Sequence, residues 1–217
     1  MATVNRGILD GFFGKVGTVV GSFWKGIPVM RAYVRRVRDR KNESQQLVRA
    51  RFITLGELSS AFLAALRLGF LNEAARNRVT ESNIFVKKNW EAVQAATPDS
   101  VSIDYTALVV AKGPLHGVQF SAPQFDNPQQ VSVVFDPNDE LPMVDDNDDI
   151  YVFVYCPDSK SGVLGAPVKR SVGRATVDVP SYWSGMKVHA WGFAVGGGID
   201  NAGAISDSAY LGSGNIN

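Results

Sequence analysis

The stretch Ile150-Tyr-Val-Phe-Val-Tyr-Cys156 is an apolar run with turn-forming residues on both sides. Asp145-Asp-Asn-Asp-Asp149 precedes it, and Pro-Asp-Ser-Lys follows it. A short apolar run between turn signals is typical of a buried β-strand. Six further short segments with a period near two lie around it. The seven predicted strands are residues 101–111, 117–121, 130–135, 150–156, 174–179, 187–195 and 206–211.

This spacing predicts an immunoglobulin- or fibronectin-like antiparallel β-sandwich in residues 99–217. The preceding residues, 42–98, have helical periodicity. A first helix is expected from near Ser44 to Gly69, with residues 48, 52, 55, 58, 62 and 66 on its buried face. A second is expected at about 81–95, capped by Thr80 and stopped by Pro98. The fold class is therefore predicted as α+β.

Residues 1–41 differ from the rest of the chain because glycines alternate with aromatic and β-branched residues. A helix would lose about 1 kcal/mol at each internal glycine relative to alanine. We therefore expect an extended arm with short strands, too apolar to remain in water. It must pack on its own domain or on a neighbouring subunit. The candidate assembly residues are Gly11, Phe12, Phe13, Gly14, Val19, Val20, Phe23 and Trp24.

The net charge of +1 over 217 residues conceals a strong asymmetry. Residues 1–51 hold eleven basic and three acidic side chains, a net of +8, and residues 52–217 hold eleven basic and eighteen acidic, a net of −7. The candidate binding residues are the basic run and its tyrosine: Arg31, Tyr33, Arg35, Arg36, Arg38, Arg40 and Lys41. Three interpretations stay open: contact with phosphates, pairing with the acidic sandwich of a neighbouring subunit, or a solvated entry to the first helix.

The residues that usually carry catalysis are sparse. Cys156 is the sole cysteine and ends an apolar run, so we expect a half-buried core thiol. His116 and His189 lie in no catalytic signature, and no nucleotide-binding or hydrolase motif occurs. We therefore expect no catalytic residue, no cofactor and no metal, and a protein that is not an enzyme.

Two further features have both a binding and a structural interpretation. The acidic stretch 136–149 is rich in hard oxygen ligands, yet it departs from the EF-hand register, which favours a solvated loop over a calcium site. Trp183 and Trp191 would suit a sugar-binding face, although packing is the commoner role of tryptophan. Neither a signal peptide nor a membrane span is evident. We expect a location in the cytoplasm or in a virion, without membrane contact.

Several stretches resemble a family of domains of unknown function from Bacteroidota and their phages. They are residues 6–27, 42–52, 103–115, 188–193 and 206–212, and the Gly/Lys/Trp arm is the most specific of them. The resemblance implies a shared fold that includes the arm, and it carries no catalytic residues. The run from Arg35 to Lys41 is richer in charge than that pattern.

Taken together, these features predict a non-enzymatic, self-assembling structural protein of virion or capsid type, or another assembly component. Its arm contacts a neighbour, and its basic segment faces nucleic acid or an acidic partner. One alternative is a nucleic-acid-binding protein with the sandwich as a scaffold, and another is a carbohydrate- or surface-binding module.

Overall fold

The computed structural model describes residues 3–4, 12–35, 39, 41–125, 129–137, 141 and 144–216. The chain forms two compact units, Met1–Glu43 and Ser44–Asn217. Each unit is described by itself below.

The first unit contains a four-stranded antiparallel sheet with its strands in sequence order. The strands are β1 (Thr3–Val4), β2 (Phe12–Val16), β3 (Val19–Trp24) and β4 (Ile27–Ala32). Two-residue turns join the last three strands. Gly17 has φ +58° in the first turn, and Lys25 and Gly26 have φ +44° and +79° in the second. Positive φ at these positions gives the turn twist that antiparallel hairpins require. The predicted extended arm is therefore a β-meander.

Four α-helices open the second unit: α1 (Glu43–Ala61), α2 (Leu63–Gly69), α3 (Leu71–Asn77) and α4 (Glu81–Lys88). The predicted first helix is broken at Phe62, where α1 and α2 meet at 83°. Gly69 ends α2, as predicted. A β-carbon there would lie 2.4 Å from the carbonyl oxygen of Val110, so this glycine also permits a close approach. Among the described helices none alone has the length and apolar composition to cross a bilayer, and only the bent α1–α2 pair meets that test jointly.

Two details of the predicted helices are corrected. Val48 and Phe52 were expected on the buried face of the first helix, but they are 49% and 57% exposed. Both lie in the first half of α1, before its buried residues Leu55, Leu58 and Ser59. The second helix starts as predicted, since the Thr80 hydroxyl oxygen accepts the N–H of Asn83 at 3.3 Å. It ends at Lys88 rather than near residue 95.

The remaining strands form one hairpin and two larger antiparallel sheets. The hairpin is β5 (Val93–Thr97) with β6 (Ser100–Ile103). The five-stranded sheet has the order β10-β9-β13-β14, with β11 also paired to β9, and the three-stranded sheet has the order β12-β8-β7. The bounds are β7 (Gln119–Phe120), β8 (Gln130–Asp136), β9 (Asp149–Cys156), β10 (Ser161–Leu164), β11 (Val168–Lys169), β12 (Arg174–Asp178), β13 (Lys187–Val195) and β14 (Ala209–Asn215).

Most predicted strands are present, with one clear exception. Residues 101–111 were predicted as a single strand, but β6 ends at Ile103. The Asp104 carboxylate accepts the N–H of Thr106 at 3.0 Å and starts a 3-10 turn over Tyr105–Ala107. β10 and β11 were not predicted.

The second unit has three layers, with the five-stranded sheet in the middle. Tyr151, Phe153 and Tyr155 of β9 point toward the helices, where they join a core around Phe62. The alternate residues, Ile150, Val152, Val154 and Cys156, pack against the three-stranded sheet. The two sheets therefore enclose one core, and the helices with the five-stranded sheet enclose a second. The predicted α+β class with an antiparallel β-sandwich is confirmed.

Candidate functional site

The strand register sorts the N-terminal sheet into two faces. Val16 pairs with Val19, which pairs with Ala32, and side chains at paired positions lie on the same face. Among the described positions of β2 to β4, one face carries no charged residue, and we call it the uncharged face. It consists of Phe12, Gly14, Val16, Val19, Gly21, Phe23, Pro28, Met30 and Ala32.

The uncharged face is exposed although it is apolar. Met30 is 70% exposed, Val16 55% and Phe23 44%. Phe12 is partly buried and lies against Gly21, where a β-carbon would come within 2.1 Å of the Phe12 carbonyl oxygen and 2.7 Å of its Cδ2. The missing side chain at Gly21 thus permits the close approach of Phe12, which adds apolar surface to this face without adding charge.

The opposite face is mixed, and we call it the charged face. It consists of Phe13, Lys15, Val20, Ser22, Trp24, Ile27, Val29 and Arg31. Lys15 pairs with Val20, which pairs with Arg31, so two cations flank one valine. The Lys15 Nζ lies 3.6 Å from the centroid of the Tyr33 ring in a cation–π contact. Lys15 therefore covers one face of the Tyr33 ring.

Proline lies at the free edge of this sheet. The N–H of Tyr33 donates to the Thr18 carbonyl oxygen at 2.7 Å, so the odd-numbered residues of β4 face β3. Pro28 therefore falls at an outward position, where it offers no N–H to an added strand. Proline on an edge strand disfavours edge-to-edge pairing. At the β4 edge the geometry thus favours contact through a face of the sheet over addition of a strand.

The predicted binding and assembly residues are separated by the structure into distinct groups. Of the assembly residues, Phe12, Gly14, Val19 and Phe23 lie on the uncharged face, whereas Phe13, Val20 and Trp24 lie on the charged face. Of the basic run, Arg31, Arg35 and Lys41 are exposed. The predicted residues Gly11, Arg36, Arg38 and Arg40 lie outside the described residues.

The side chains considered for other chemistry are enclosed in the second unit. Cys156 is fully buried rather than half-buried, with its Sγ 3.7 Å from the Met186 sulfur. Trp183 and Trp191 are also fully buried. Neither tryptophan offers a ring face to a sugar, so the basis of the carbohydrate-binding alternative is wrong.

One histidine lies in an aromatic cluster. His189 is 6% exposed, its Nδ1 lies 2.8 Å from the Tyr210 hydroxyl oxygen, and its ring stacks on Tyr105 at 4.0 Å. Burial, assisted by the charge of Lys187, lowers the pKa of His189 to about 4. A neutral imidazole is therefore favoured at neutral pH. The other histidine, His116, is exposed.

The acidic stretch contains a buried ion pair that sequence reasoning missed. Asp148 was expected in a solvated loop, but it is fully buried, and its Oδ2 lies 3.1 Å from the Nε of fully buried Arg170. Arg170 also donates to the carbonyl oxygens of Pro137 and His116, both at 2.7 Å, and Asn201 donates to Asp148 at 2.8 Å. Within the described residues no group of three acidic, histidine or cysteine side chains converges as metal ligands would.

The chain matches one protein family over most of its length. No curated protein sequence matches it. Among solved structures, the fibronectin type III domain of the human collagen alpha-1(XX) chain matches with 15% identity and a TM-score of 0.31, covering 48% of this chain and 85% of that one. So low a TM-score carries no argument, and the fold assignment rests on the sheets described above. The profile of a family of unknown function (DUF6266) matches residues 11–212, which include the strands β2 to β4. The protein therefore belongs to the DUF6266 family.

Proposed function

We propose that this protein is a non-enzymatic structural component that assembles with copies of itself through its N-terminal sheet. The observation that carries the proposal is the uncharged face, which is apolar, free of charge and exposed. A small sheet gains stability only when a hydrophobic face is covered. Exposed apolar patches of this kind mark interaction sites.

Charge complementarity supports a second copy as the partner. Residues 1–43 hold nine basic and three acidic side chains, a net of +6, whereas residues 44–217 hold thirteen and eighteen, a net of −5. The N-terminal segment of one copy is therefore attracted to the larger unit of another, and this attraction brings the uncharged face close to its partner without acting on that face directly. A virion or capsid component from Bacteroidota or their phages, or a cytoplasmic assembly, would use such a contact repeatedly.

The test is the mass of the full chain in solution, measured by light scattering after size exclusion at moderate salt. The wild type should form oligomers or larger particles, which negative-stain electron microscopy would image. Met30→Glu places a charge on the uncharged face and should reduce the assembled mass.

The matched control is Val29→Glu, which changes the adjacent residue of the same strand on the charged face. It should leave the assembled mass closer to that of the wild type. A wild-type chain that stays monomeric at all concentrations would refute the proposal. Equal losses in both variants would refute the assignment to the uncharged face.

Nucleic-acid binding is a second candidate function. Its supporting observation is the exposed cationic group on and beyond β4, formed by Arg31, Arg35 and Lys41. Phosphate contacts release counterions, so binding of single-stranded DNA should weaken steeply with salt. Alanine at these three positions should lower both the affinity and the salt dependence. An affinity independent of salt would exclude phosphate contact.

A further inference from the structure

A second apolar surface lies between α1 and α4, entirely within the second unit. It is an open groove of 640 Å³ lined by Phe52, Asn83, Val86, Lys87, Trp90 and Glu91. Phe52 is 57% exposed in this lining, and Val48, 49% exposed, lies one helical turn before it on α1. The apolar face of α1 thus includes exposed residues beyond the core. Such an exposed apolar helix face is typical of a contact with another chain.

The central tryptophan of the groove is held in place from several sides. The guanidinium carbon of Arg51 lies 4.2 Å from the Trp90 ring, and Arg51 also donates to the Trp90 carbonyl oxygen. The Phe52 ring packs at 5.8 Å. The next residue back, Asn89, is buried and exchanges hydrogen bonds of 2.7 and 2.9 Å with the backbone of Val109. A fixed aromatic side chain loses little entropy on binding, which suits it to be an interface anchor.

The groove has opposite charges at its rim. Lys87 and Glu91 are both exposed, and neither takes part in the ion pairs formed among the described residues. A two-fold symmetric contact places residue i of one copy against residue j of the other, and j against i. A surface with an apolar centre and one unpaired charge of each sign is complementary to itself in that arrangement.

We propose that this groove is a two-fold symmetric dimer contact, with Phe52 and Trp90 of two copies packed at its centre. Lys87 of each copy faces Glu91 of the other. The contact does not involve the N-terminal sheet, so it goes beyond the proposed function. A chain with both contacts would have two different interfaces, and the two-fold contact would link pairs of copies that the sheet contact joins to further copies.

The experiment uses charge reversal in the full chain. In Lys87→Glu, and separately in Glu91→Lys, both rim pairs become repulsive. Dimerisation should weaken roughly tenfold in each variant at low salt. When the two variants are mixed, every rim pair is again of opposite sign. The mixture should form heterodimers with an affinity within about threefold of the wild type. Mixing restores opposite charges only between two different chains. Recovery would therefore exclude an ion pair within one chain as the cause of the losses. Failure of the mixture to recover would overturn the proposal.

A substitution at the apolar centre gives an independent readout. Phe52→Asp should abolish the dimer, whereas Ile53→Asp, at the adjacent 63% exposed residue on another side of α1, should leave it intact. Equal effects of the two would overturn the proposal.

Met30→Glu separates this contact from the sheet contact. A Met30→Glu chain that remains dimeric supports the groove contact, and a monomeric one overturns it. A wild type that forms only dimers, unaffected by Met30→Glu, refutes the sheet assembly and leaves the groove contact standing.

Discussion

Acid should destabilise this protein through one histidine. In the folded state burial lowers the pKa of His189 to about 4, whereas an exposed histidine in the unfolded chain titrates near pH 6.5. As the pH falls, the unfolded chain binds the proton first, so protonation favours unfolding. The contribution of His189 to stability is complete above pH 6.5 and is lost progressively down to pH 4.

The magnitude follows from the two pKa values. Between pH 8 and pH 5 the unfolded state gains nearly a full proton at this position, and the folded state gains about a tenth of one. The free energy of unfolding should therefore fall by about 2 kcal/mol over this range. Most carboxylates titrate below pH 5, so His189 dominates the window.

Urea denaturation at pH 8, 6.5 and 5 measures this loss. His189→Gln keeps a polar side chain opposite Tyr210 and cannot titrate, so its stability should change much less across the window. His116→Gln changes the other histidine, which is exposed, and is the matched control for the loss of an imidazole. A His189→Gln variant with the same pH dependence as the wild type would refute the reasoning.

Three substitutions test other elements of the fold. Asp148→Ala leaves the buried guanidinium of Arg170 without its carboxylate and should cost about 3–5 kcal/mol in urea denaturation. Phe62→Ala opens a cavity where rings from the helices and the central sheet meet, and should lower the free energy of unfolding by about 3–5 kcal/mol in the same assay. Gly26→Val forces a β-branched residue into positive φ, and the β4 amides should exchange with solvent roughly tenfold faster, as measured by mass spectrometry.

The sequence predicts the sandwich well because its strands are bounded by strong turn signals. β8, β9, β12 and β13 lie within one residue of their predicted positions, since alternation and turn residues are local properties. The hairpins of the N-terminal sheet were missed although their signal is also local. Gly17-Thr18 and Lys25-Gly26 each separate two apolar segments by two residues, which is the spacing of a tight hairpin.

Other features depend on contacts that periodicity does not encode. The break lies at Phe62, whose ring packs 4.6 Å from that of Phe153, ninety-one residues later in the chain. The burial of Asp148 depends on Arg170, and nothing near either residue in sequence indicates the pair. Val48 continues the apolar pattern of α1, but the pattern does not show that Val48 lies beyond the buried core and is exposed.

The two-sided packing of β9 restricts where the chain can change length. Its aromatic residues pack in the core beside the helices, and its aliphatic residues and Cys156 pack in the core between the two sheets. One inserted or deleted residue would exchange the two sets, placing rings in the space of valines and leaving voids among the helices. The packing of both cores would be lost at once. Members of the family should therefore gain and lose residues in the connecting loops, while the spacing within β9 and its partner β13 remains fixed.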